Sequence, residues 1–178
     1  DPILKNKFYY QDELMLLELD VSDASNCFNL NSLFELSENS YKVRAPYKKW
    51  LARYLRLKLI GEPEIESFID QLIDWVDLDN QPLNYGAENY FYIGPGSQFK
   101  QFTPKRLLVD VSEISNFPIM QTLNFDDLIT HLCVLPGSNK QLININTLAS
   151  KDSMLIASFF HEENLEFSES QILSMPKN

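Results

Sequence analysis

The feature that most constrains this chain is a change of hydrophobic period partway along it. Between Tyr47 and Val76 apolar residues recur every three or four positions, the spacing of helices with one buried face. Tyr47, Trp50, Leu51, Tyr54 and Leu55 make a first stripe, with Lys48, Lys49, Arg53 and Arg56 around it. Ile65, Phe68, Ile69, Leu72, Ile73 and Val76 make a second. Gly61 is placed to stop the first helix and Pro63 to begin the next. On either side the period changes. Leu17, Leu19 and Val21 alternate with Glu18 and Asp20, which predicts a half-buried strand entered from the end of a helix near Asp12. Val134-Leu135 before Pro136-Gly137, and then Leu142, Ile143 and Ile145, predict two further short strands. Asn146 or Thr147 is placed to cap a helix covering Met154, Leu155, Ile156, Phe159 and Phe160. Strands at both ends with helices between imply an α+β fold. The sheet domain takes residues 1–40 and 133–178, and an α-helical domain, 41–132, is inserted into it.

Smaller signals fill in the insertion. Asp110-Val-Ser-Glu113 has the form of a capping box and predicts a short helix; Asn124 predicts another cap. Asn84 to Phe102 is dense in Tyr, Phe, Gly and Asn without a period, and reads as an ordered loop. Cys27 and Cys133 lack the close spacing of a zinc or redox site. Two buried small hydrophobes is the simpler reading, and one long-range disulfide in an oxidising compartment is the alternative.

Charge narrows the chemistry. A net charge of −10 excludes phosphate-backbone recognition, which needs clustered cations, so no nucleic-acid partner is expected. It suits a bound cation or a basic surface. The informative segment follows the second helix. Asp77, Asp79 and Glu88 are hard oxygen donors beside Asn80, Gln81, Asn84 and free carbonyls, a set that suits calcium with its six to eight oxygens and loose geometry. Counted from Asp77, the acids echo the ligand spacing of an EF-hand loop, but Pro82 stands where that loop requires glycine. The site is therefore expected to have its own geometry. Carboxylates at a helix C-terminus oppose the helix dipole, which favours a cation there over a merely solvated helix end. Asp74, one turn back, could join the ligands or form a separate ion pair. A second acidic group, Asp20 and Asp23 with Asn26, is explained by turn chemistry alone. The basic face from Lys48 to Lys58 could lie on an anionic membrane, but a solvated face of a core helix is the commoner reading. His131 and His161 have no companion at ligand spacing, no nucleophile motif is present, and Gly94-Pro95-Gly96 lacks the strand and helix of a phosphate loop. No enzyme is expected.

Several segments, in order, resemble the K-type minor pseudopilins of bacterial type II secretion systems. Asp23-Ala-Ser-Asn-Cys-Phe-Asn-Leu-Asn31 is similar to the family's early motif, and Leu72-Ile-Asp-Trp-Val-Asp-Leu-Asp79 with Pro82 and Gly86-Ala-Glu88 to its most characteristic stretch. Val111-Ser-Glu113, Val134-Leu-Pro136 and Ile143-Asn-Ile-Asn-Thr147 resemble later motifs. The resemblance implies a pilin-like fold: a long N-terminal membrane helix, absent here, packed on an antiparallel sheet carrying the large helical insertion. It also implies calcium near Asp77, Asp79 and Glu88. It further implies I-type and J-type minor pseudopilins as partners, contact with secreted proteins, and a periplasmic location with an inner-membrane anchor through that helix. A calcium-dependent adhesin is the alternative, and a metal-dependent hydrolase built on His131 and His161 a more distant one.

Overall fold

The two helical stripes become α1 (Ala45–Leu57) and α2 (Glu62–Val76), each with a proline in its first turn. Proline there wastes no donor, because the first N–H groups of a helix have no partner within it. The turn between them is built differently from the expectation. Leu59, not Gly61, takes the left-handed conformation, at φ 59°. Its N–H donates to the Arg56 carbonyl at 2.8 Å, and Ile60 N–H to that of Leu55 at 3.3 Å. Gly61 is instead the N-cap of α2, in extended backbone. The chain had already closed the C-terminus of α1 with backbone bonds, so no glycine was needed.

The computed structural model describes residues 7–12, 14–20, 26–38, 40–95, 101–137, 140, 143–144, 148 and 150–160. Among these residues the strands form three pairs. β1 (Lys7–Gln11) and β2 (Leu16–Asp20) are antiparallel, with Phe8 opposite Leu19 and Tyr10 opposite Leu17. Leu17 and Leu19 lie in a strand, as predicted, but that strand is exposed rather than half-buried, with Leu17 41% and Leu19 51% exposed. Asp12 belongs to a hairpin turn and ends no helix. Asp12 Oδ1 accepts from Leu14 and Met15 N–H at 2.8 and 2.9 Å, the local competition by which short acids nucleate turns. β4 (Phe34–Ser37) and β5 (Ser40–Val43) make a second antiparallel pair. β3 (Phe28–Asn29) and β6 (Leu132–Cys133) bracket the helical segment and run parallel, which the long connection between them allows. The whole is α+β, with the helical segment spliced between strands.

Three devices close the base of that segment. Cys27 and Cys133 are joined by a disulfide, with Cα atoms 5.8 Å apart. The simpler reading of two buried thiols is therefore corrected; pairing of β3 with β6 brings the two sulfurs into range. Asn31, fully buried, donates to the carbonyls of Leu108 and Leu135 at 2.9 and 3.0 Å and accepts from Leu108 N–H at 2.9 Å. Asn29 Oδ1 accepts from the N–H groups of Asn31 and Leu135 at 3.1 and 3.0 Å. The Phe-Asn-Leu-Asn motif is thus an apolar plug (Phe28, Leu30) alternating with amides that staple three distant segments together.

One apolar cluster runs from Phe28, Leu30 and Phe34 through Trp50, Tyr54, Phe68 and Leu72 to Leu132 and Leu155. α5 (Ser153–Phe160) packs on α1, where Trp50 lies edge-on to Phe28 and Phe159 at 4.9 and 4.8 Å and its indole N–H donates to Ser158 at 2.7 Å. The predicted caps at Asn146 and Thr147 lie outside the described residues, as do Leu142 and Ile145; Ile143 and Asn144 are in no strand. Among the described residues no helix is long and apolar enough to cross a membrane.

Candidate metal centre

The last two turns of α2 are buried more completely than one stripe requires, because loops cover the polar side. Gln71 holds the loop at Tyr85 and Ile119, donating to one carbonyl at 3.2 Å and accepting from the other residue's N–H at 3.0 Å. Trp75 donates to Glu113 at 3.0 Å. Glu113 closes the predicted capping box with Asp110, so the short 3-10 helix Val111–Asn116 is locked against α2 by its own cap. Asn124 caps α4 (Phe125–Leu128) as its sequence predicts.

Asp74 is the hidden member of the acidic region. It is fully buried, makes no ion pair among the described residues, and accepts Leu83 N–H with both oxygens at 3.2 Å. A Cβ on Gly86 would stand 1.9 Å from Asp74 Oδ2, so only glycine lets the loop pass this close. Burial first, then Glu88, Asp70 and Asp79, push the Asp74 carboxyl up to about 6. Asp74 shapes the loop; the ligand positions lie beyond it.

Asp77 leaves the helix at its C-cap, Asp79 turns the chain by accepting Gln81 N–H at 2.8 Å, and Glu88 is the N-cap of α3 (Asn89–Tyr92). One ligand atom from each of Asp77, Asp79 and Glu88 falls within 4.8 Å of the other two. Two oxygens on one calcium ion, each at about 2.4 Å, can stand up to about 4.8 Å apart, so the three carboxylates can share an ion. Two observations say that the cluster suits one. Asp77 Oδ1 is buried without a hydrogen-bond partner among the described residues. Burial, reinforced by Asp79, Asp74 and Glu88, pushes the Asp77 carboxyl up to about 7. Like charges crowded out of water are relieved by a hard cation. The structure therefore brings together all three residues singled out in the sequence.

What the sequence did not offer is the far wall. Thr103 donates from its backbone and its hydroxyl to Asn89 Oδ1 at 2.7 and 2.9 Å. Lys105 places its ammonium 3.0 and 2.8 Å from the two Glu88 oxygens and against the Asp79 carbonyl. The intervening sequence is irregular in composition, so no periodicity could connect these residues to the acids. The remaining candidates fall elsewhere. His131 is buried with Nε2 2.7 Å from the Lys151 carbonyl, and burial lowers its pKa. His161 and Asp23 lie outside the described residues, and Asp20 stands opposite Lys7 in the β1–β2 register. Lys48 and Arg56 on α1 pair with Asp70 and Glu62, as residues on the solvated face of a core helix do, and Lys58 at its C-cap pairs with Asp127.

The acid loop lies within residues 26–137, the stretch that matches the family model described as "Type II secretion system (T2SS), protein K". The chain belongs to that family. Among its relatives are type II secretion system protein K of Pectobacterium carotovorum, 32% identical over 80% of the chain, and of Klebsiella pneumoniae, 31% identical over 80%. Each match covers 43% of the relative, so the chain spans less than half the length of these family members. The fold resembles a chain in the solved GspK-GspI-GspJ complex from the enterotoxigenic Escherichia coli type 2 secretion system. The TM-score is 0.73 at 19% identity, over 97% of this chain and 62% of the other. At that identity the likeness speaks for the fold, α+β with a helical insertion.

Proposed function

We propose that this chain is part of a minor pseudopilin at the tip of the type II secretion pseudopilus, a scaffold subunit without catalytic function. It assembles with I-type and J-type minor pseudopilins and supports protein export across the outer membrane. The observation that carries the reading is the splice itself. A helical segment, from α1 at Ala45 to His131, lies between β3 and β6, and its bulk opposes addition of a further subunit above it. The relative of similar fold was solved as a complex with GspI and GspJ, which supports the choice of partners. The Cys27–Cys133 bridge suits an oxidising compartment and supports a periplasmic location, with an inner-membrane anchor supplied by an N-terminal helix.

Asp77, Asp79 and Glu88 would hold a calcium ion, which when bound supplies the positive charge that lets three carboxylates stay close. The chain's own part is to hold that geometry: Asp74 and Gly86 fix the loop, and Asn89 with Thr103 fixes the neighbour of Glu88. The test is co-purification of the tagged chain with I-type and J-type soluble domains in calcium and in chelator. A ternary complex lost in chelator is the expected result. Failure to bind either partner in calcium, with glycan or host-protein binding instead, replaces this reading with that of an adhesin.

A further inference from the structure

We infer that Lys105 is a tethered cation that occupies the acid cluster when no divalent ion is bound, and so sets how tightly the cluster takes one. The inference rests on the metal-site reading above and concerns a residue outside the ligand set. Lys105 Nζ reaches both oxygens of Glu88, at 3.0 and 2.8 Å, and the carbonyl of Asp79. It therefore touches two of the three residues proposed as ligands. The Glu88 carboxylate is almost wholly buried, so this ammonium is its main compensation in the absence of metal.

An ion held by the same Glu88 oxygens at about 2.4 Å would lie within a few ångströms of the ammonium, and the two cations repel. The lysine must yield for the ion to bind. The geometry lets it. Its side chain is 20% exposed, so the amine has an open route to solvent without movement of the core. Its backbone, by contrast, is held in place. Lys105 has a left-handed φ of 53°, unusual for a side-chain-bearing residue, and Thr103 two positions earlier is fixed to Asn89 by two hydrogen bonds. A fixed backbone with a releasable amine makes an exchangeable counter-ion. Two effects follow: the loop keeps its shape without metal, and binding is weaker than three carboxylates alone would give.

The experiment compares the unmodified chain with Lys105→Met, which keeps the stem and removes the charge, and with Lys105→Arg, which keeps the charge. Calcium affinity is read by calorimetry, and melting temperature in chelator by scanning fluorimetry. Lys105→Met is expected to bind calcium at least fivefold tighter and to melt several degrees lower in chelator; Lys105→Arg is expected to bind no tighter than the unmodified chain. Acetylation of the Lys105 amine, followed by mass spectrometry on the unmodified chain, is expected to be severalfold faster in calcium than in chelator. That readout does not depend on any variant folding. Calcium binding with unchanged or weaker affinity in Lys105→Met, or equal acetylation rates in the two media, overturns the lysine's role while leaving the metal site standing. Absence of calcium binding in the unmodified chain and in Lys105→Met alike overturns the metal site itself, and the lysine's role with it.

Discussion

Asp77→Asn separates a metal ligand from a merely solvated acid, because its effect on stability should change sign with calcium. Without metal, the Asp77 carboxylate is crowded: its carboxyl is pushed from 3.8 up to about 7 by burial and by Asp79, Asp74 and Glu88. At roughly 1.4 kcal/mol per pH unit that corresponds to about 4 kcal/mol for a fully shielded group. Asp77 keeps part of its surface in water, and screening reduces the penalty to about 1–2 kcal/mol. Removing the charge at pH 8 in chelator should therefore raise the melting temperature by about 2–8 °C, at about 2–4 °C per kcal/mol for a chain of this size. With calcium at a hundred times its dissociation constant the unmodified chain gains about 2.7 kcal/mol, and a variant lacking one charged ligand loses most of that gain. The ranking inverts: the variant melts higher in chelator and lower in calcium. The pH dependence carries the same sign. Folded Asp77 keeps its proton up to about 7 and the unfolded chain releases it near 3.8. Between those values the folded state binds more protons, so in chelator acidification from pH 8 to 5 stabilises the unmodified chain. The variant loses the part of that slope due to Asp77. Scanning fluorimetry at two pH values in both media reads all of this. A variant that melts lower than the unmodified chain in both media would refute the crowding argument.

Gly86→Ala forces a methyl group to within 1.9 Å of a buried Asp74 oxygen and should cost more than about 2 kcal/mol, seen as a lower urea midpoint with an unchanged slope. Asn31→Ala removes three hydrogen bonds and strands the Leu108 and Leu135 backbone groups in the core, for a loss of about 3 kcal/mol in the same assay. Reduction of Cys27–Cys133, whose loop spans 106 residues, should cost up to about 4.7 kcal/mol by loop entropy, measured as a drop in melting temperature on adding reductant. An unchanged melting temperature would mean that Asn29 and Asn31 alone close the base of the helical segment.

What the sequence determined by itself were the local features. The stripes of α1 and α2 follow from period, the Asp110–Glu113 capping box and the Asn124 cap from side chains two or three residues away from their targets, and the acid triad from donors packed into one short segment. Each is an interaction whose partners are neighbours along the chain, so spacing encodes it. Tertiary structure decided whatever joins residues far apart. The disulfide needed β3 beside β6, the two core asparagines needed partners up to 106 positions away, and the helix end near Leu59 needed backbone bonds that no residue type announces. Lys105 lies 26 positions from Asp79 and reaches it across the fold, two residues after Thr103 is tied to Asn89. Composition can supply such a cation, but only folding brings it to the acids it neutralises.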